Sequence, residues 1–139
     1  MTTQAKGSFT VKITPLTWSE TSADLSNTDS SLTRYQIEKQ FLGDLVGVSE
    51  GQMLGAGSPQ SGSAGYVAIE KVTGEIDGRN GGFVLQHSGS MNHGDLKLTI
   101  SVVPNSGTGE LAGLAGAMAI ENVEGEHRYE FDYTLGTIQ

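Results

Sequence analysis

A chain of 139 residues with 36% hydrophobic content suffices for one domain, 1–139, able to bury roughly 70% of its unfolded surface. Sixteen acidic against eight basic side chains give a net charge of −8, which argues against nucleic acid and acidic membrane surfaces, both bound by neutralising negative charge. The absence of cysteine excludes disulfides, thiolate nucleophiles and cysteine–zinc sites, and 20 glycines against three prolines point to many tight turns.

Residues 8–13 place Phe9, Val11 and Ile13 on one face of a first strand, which Pro15 breaks. Residues 16–22, with Trp18, read as an edge strand, and the polar stretch 21–31 as a loop. Residues 32–42 alternate Tyr35, Ile37 and Phe41 against polar neighbours, and Gly43-Asp44 turns the chain. The return strand, 45–54, carries Val46, Val48 and Leu54 on one side. Residues 55–65, rich in glycine and serine, suit a flexible loop at the mouth of a cavity. Strands 66–76 and 83–91 follow around Asp77-Gly78 and Asn80-Gly81-Gly82, residues that accept positive φ. Strand 96–103 stops at Pro104, and strands 117–123 and 127–135 close the chain as a hairpin around Glu124-Gly125.

The pattern is all-β with almost no helix: about eight strands joined mostly by up-and-down hairpins. Such strands hide their apolar faces in a sandwich or a closed barrel, and closure is favoured because it removes both edges. An eight-stranded antiparallel barrel has an interior that side chains fill or that holds one small ligand.

If the apolar face of each strand points inward, several polar side chains do too. Lys39 lies between Ile37 and Phe41, Glu50 and Gln52 between Val48 and Leu54, and Glu70 between Ala68 and Val72. His87 follows Phe83 and Leu85, Asn122 follows Ile120, and His127 precedes Tyr129 and Phe131. An isolated charge taken out of water costs several kcal/mol, so these groups sit at barrel ends, pair with each other, or line a water-accessible cavity. Structural roles compete for each: a solvated histidine near a strand end, or a Lys39–Glu pair across strands. Glu70, mid-strand with apolar neighbours on both sides, is hardest to explain that way. Gln86 and His87 point to opposite faces of a regular strand, so at most one enters the cavity without a bulge.

Other motifs lose their meaning in context. Gly107-Thr108-Gly109-Glu110-Leu111-Ala112 fits a dinucleotide-binding fingerprint, but no parallel sheet or following helix hosts it. His87 and His93 are separated by a turn, and the paired His-x-His of metal-binding jelly rolls is missing. Neither metal nor cofactor is therefore expected. No run approaches about eighteen apolar residues and the first residues lack an apolar signal core, so the default expectation is cytoplasmic.

The stretches 78–89 (Gly-Arg-Asn-Gly-Gly-Phe-Val-Leu-Gln-His-Ser-Gly), 101–114 (Ser-Val-Val-Pro-Asn-Ser-Gly-Thr-Gly-Glu-Leu-Ala-Gly-Leu) and 125–129 (Gly-Glu-His-Arg-Tyr) resemble an uncharacterised bacterial family of small barrel proteins. The match extends from about Leu32 to Tyr133. That family is grouped by fold with the allene oxide cyclase and dirigent barrels, whose Gly-Thr-Gly-x-Phe hairpin is similar to 107–111 here, with Leu111 at the phenylalanine position. The resemblance implies an eight-stranded barrel, often oligomeric, with a pocket at one end, and no specific activity. The cyclase cavity uses a cysteine, absent here, so none of its site residues carries over.

The expectation is a barrel that binds a small apolar ligand, with isomerase- or cyclase-like assistance as an extension. The cavity candidates are Glu70, His87, Gln86, Lys39, Glu50 and Tyr129. The alternative is a non-catalytic oligomerisation or scaffold module with a side-chain-filled barrel, in which Val67, Ile69, Val84 and Val103 bury against a second copy.

Overall fold

The structure, a computed structural model, describes residues 2–17, 32–58 and 62–136. Alternating side chains resolve there into β1 (Thr3–Leu16), β2 (Thr33–Gly43), β3 (Leu45–Ser58), β4 (Ser63–Ile76), β5 (Arg79–Asn92), β6 (Asp95–Val102), β7 (Thr108–Gly109), β8 (Leu114–Val123) and β9 (Glu126–Leu135). Every pairing is antiparallel. The ladder runs β1–β2–β3–β4–β5–β6–β8–β9 and returns to β1, closing an eight-stranded barrel, with β7 a short addition beside Gly81 and Gly82 of β5. The expected all-β antiparallel barrel is the fold. Among the described residues there is no helix long and apolar enough to cross a membrane.

Several strands are longer than the sequence suggests. The stretch expected as a loop, 55–65, mostly extends the β3–β4 hairpin, since Gly55 pairs with Tyr66 and Gly57 with Ala64. Leu16 ends β1; beyond residue 17, the expected edge strand with Trp18 and the 21–31 loop lie outside the described residues.

The two ends of the barrel differ. At the base, Phe41, Leu45, Val72, Ile76, Phe83, Leu85, Leu111 and Phe131 are fully buried. Phe83 stacks on Phe131 at 5.6 Å between centroids, and Phe131 on Tyr133 at 5.4 Å. Each such side chain contributes about 1.5–3 kcal/mol by leaving water, which makes the packed base the main source of stability. Leu111, delivered by the turn after β7, completes this packing.

At the other end, the mouth, stand the β3–β4 and β5–β6 connections, tied together by the Gly94 amide donating to the Gly62 carbonyl at 2.9 Å. The β8–β9 hairpin stops short of it. Pairing of β9 with β1 ends at Phe9↔His127, and β6 meets β8 only at Ile100↔Met118 and Ser101↔Ala117. The wall is therefore cut away beside the outer half of β1 and the first half of β6, where Ile13 and Leu96 are exposed.

Candidate functional site

The inward column of β4 reads Tyr66, Ala68, Glu70, Val72, and period-two geometry stacks these side chains from mouth towards base. Glu70 lies at the middle of the barrel with 0% exposure, His87 with 3% and Lys39 with 8%. Lys39 Nζ donates to Glu70 Oε1 at 3.1 Å, and His87 Nε2 reaches the same oxygen at 2.8 Å. Ser49 Oγ donates to Glu70 Oε2 at 2.5 Å. A carboxylate only accepts, so we assign the imidazole proton to Nε2, which leaves Nδ1 to accept from the Tyr66 hydroxyl at 3.3 Å. The result is a chain, Tyr66–His87–Glu70, braced at its buried end by Lys39 and Ser49.

Electrostatics decide whether Glu70 stays ionised. Desolvation is the largest influence and pushes its pKa up. It is outweighed together by the His87 hydrogen bond, the Lys39 charge, the Ser49 hydrogen bond and the His87 charge, so the carboxyl sits below its ordinary value. Lys39 is steadied by the Phe9 ring, 4.9 Å from Nζ to centroid, and by Phe41 at 5.9 Å. Burial, and next the charge of Glu70, push the Tyr66 phenol up, so its proton stays in place at neutral pH.

Above Tyr66 the lumen opens into a cavity of about 300 Å³, lined by inward residues of the mouth including Thr33, Tyr35, Met53, Ala64, Tyr66 and Met91. Glycines shape its wall: a Cβ at Gly89 would meet the Tyr66 ring at 2.5 Å, so only glycine lets that ring lie across β5 towards His87. Larger depressions elsewhere lie on the outer surface of the wall, such as the one beside Lys6, Leu42 and Arg128. One of them, between Glu38, Val48 and Lys71, touches Lys39 and Ser49 at the back of the cluster, but neither Glu70 nor His87 lines it.

Of the six side chains singled out from sequence, the fold brings three together: Glu70, His87 and Lys39. Glu50 is exposed on the outer face, in register between Glu38 and Lys71. The inward column of β3 is instead Leu45, Gly47, Ser49, Gly51 and Met53, while Val46 and Val48 face solvent. Counting apolar residues selected the wrong face because small side chains occupy the inner one, leaving volume for Glu70 opposite Gly51. Gln86 is also exposed, beside Ile69 on the outside, as strand alternation with His87 requires.

Tyr129 is inward and buried but belongs to the base. Its hydroxyl accepts the Leu45 amide at 2.9 Å and donates to the Leu42 carbonyl at 2.9 Å, clamping the β2–β3 turn. His127 stacks on Phe9 at 5.2 Å, and Asn122 is exposed, accepting the Gly125 amide in the β8–β9 turn. Among the described residues no group of three or more His, Asp or Glu is placed to hold a metal.

Sequence reasoning missed Ser49 and Tyr66. Tyr66 was accessible, standing two and four residues before Ala68 and Glu70 on one face. Ser49 stands at the centre of Gly47-Val48-Ser49-Glu50-Gly51, a Gly-x-Ser-x-Gly spacing, but only the register of β3 against β4 brings it to Glu70.

Fold and site together define a closed antiparallel β-barrel, packed at its base and open above a buried polar chain. Residues 5–133 match the family model described as protein of unknown function (DUF3224), and the chain belongs to that family. It is similar to a protein of unknown function from the same family, from Shewanella oneidensis MR-1, whose crystal structure superposes with a TM-score of 0.86. The two are 44% identical over 99% of this chain and 100% of the other. No curated protein matches the chain.

Proposed function

We propose that the protein binds a small, uncharged, apolar molecule in the barrel mouth, with the Tyr66–His87–Glu70 chain as its polar floor. The observation that carries this reading is the placement of a cavity of about 300 Å³, walled by inward apolar and glycine residues, directly over Tyr66. Ligand sites combine such walls with a few fixed polar groups. A structural ion pair alone would not call for a hydrogen-bonded extension running from Glu70 to the cavity floor. The family resemblance to allene oxide cyclase-like barrels extends the reading to holding a flexible ligand in one conformation for isomerisation or cyclisation.

Ligand-detected NMR with apolar probes tests the reading. Ala64→Phe, which fills the mouth, is expected to abolish the signal of wild-type hits while leaving the melting temperature within a few degrees. Equal signals in both proteins would refute it.

A second reading, compatible with the first, rests on the outer wall. Leu54, Val67 and Ile69 adjoin one another across β3 and β4 and are each at least 40% exposed. A strip of this kind suits association with a second copy of the chain.

A further inference from the structure

We infer that the mouth cavity takes an uncharged molecule bearing a hydroxyl group, an alcohol or a phenol, which donates its hydrogen bond to the oxygen of Tyr66. This inference rests on the binding reading above and names the chemical class.

Two observations lead to it. First, every side chain lining the cavity is uncharged. The charges beneath, Lys39 and Glu70, are committed to each other at 3.1 Å. A carboxylate or ammonium ligand would leave water for walls that offer no counter-charge, at a cost of several kcal/mol.

Second, the hydrogen-bond chain has a direction. Lys39 makes the ion pair with Glu70, and the imidazole bridges Glu70 and Tyr66 in the tautomer assigned above. Glu70 accepts, so Nε2 carries the proton, Nδ1 accepts, and Tyr66 must donate downwards. With its only proton committed to His87, Tyr66 presents lone pairs and no donor to anything above it. The carboxylate at the far end polarises each bond in the chain and enriches the phenol oxygen as an acceptor. Burial and the charge of Glu70 hold that phenol in its protonated form. Thr33 and Tyr35, also on the lining, carry hydroxyls that serve either role. Tyr66 alone is bound to one polarity, and so it selects.

The experiment titrates the full chain with para-propylphenol, para-propylanisole, propylbenzene and para-propylbenzoate, following binding by NMR at neutral pH. The phenol is expected to bind roughly tenfold tighter than the anisole and propylbenzene, and the benzoate weakest. In Tyr66→Phe the phenol and anisole affinities are expected to converge, with the anisole little changed. If phenol and anisole bind wild type equally, or the preference persists in Tyr66→Phe, the hydroxyl inference falls while the cavity reading stands. Tightest binding by the benzoate also overturns it. If none of the four binds, both the cavity reading and this inference fail.

Discussion

Glu70 accepts from three side chains on three different strands, β2, β3 and β5, so its removal disturbs the barrel more than the loss of one hydrogen bond. Glu70→Gln keeps the shape but leaves the Lys39 ammonium buried without a counter-charge. It is expected to cost about 3–5 kcal/mol in urea denaturation, the usual range for breaking a buried pair from one side. Lys39→Met leaves Glu70 two donors and should cost less. The pH dependence follows in sign. The Glu70 carboxyl titrates lower folded than its ordinary 4.5. Its contribution is therefore present above that value and is lost as pH falls through the lower, folded one. Urea midpoints from about pH 7 to about pH 3 should fall more steeply for wild type than for Glu70→Gln. The comparison matters because acidification also relieves the repulsion of a chain carrying −8, in both proteins alike. At this scale sequence was informative wherever a charged residue interrupted an apolar column, as for Lys39, Glu70 and His87. It misled at Glu50, where glycine and serine made the true inner face look polar.

Strand pairs carry two further consequences. The Tyr129 hydroxyl lies against Gly7, where a Cβ would meet it at 2.5 Å, and ties β9 through β1 to the β2–β3 turn. Tyr129→Phe strands the Leu45 amide and Leu42 carbonyl without their shared partner. The expected loss is about 1–3 kcal/mol, read from the denaturation midpoint, with no loss of probe binding at the mouth. The β6–β8 seam, by contrast, holds only two paired rows, against thirteen in β4–β5 from Ala64↔Met91 to Ile76↔Arg79. Amides of residues 96–99 that face β8 should exchange with solvent far faster than those of the β4–β5 ladder in hydrogen-exchange measurements. Period two and turn residues made the hairpins legible, since Asp77-Gly78, His93-Gly94 and Glu124-Gly125 all adopt positive φ. How far β8 and β9 extend towards the mouth was not legible, because it depends on which strand each one meets. The pairing of β7 with β5 is likewise a long-range contact with little local signal.

For the molecule as a whole, closure settles the inside but leaves an outside to explain. A barrel removes strand edges, yet its outer wall keeps whatever side chains alternation sends there, and here that includes Val67 at 51% and Ile69 at 52% exposure. Two other residues expected on that face, Val84 and Val103, are half-buried, joined by the Val103 amide donating to the Val84 carbonyl at 2.9 Å. The exposed strip is thus confined to β3 and β4, on the far side of the same wall whose inner face carries Ser49 and Glu70. A single charge at its centre separates the two roles of that wall. Ile69→Lys points away from the lumen, so phenol binding and the melting temperature of the isolated barrel should hold. If a second copy covers the strip, light scattering at micromolar concentration should give a multiple of the 14.6 kDa chain for wild type and the single chain for Ile69→Lys. A wild-type mass equal to one chain would remove the oligomer reading and leave the mouth cavity unaffected, because no residue of the cavity floor depends on that outer face.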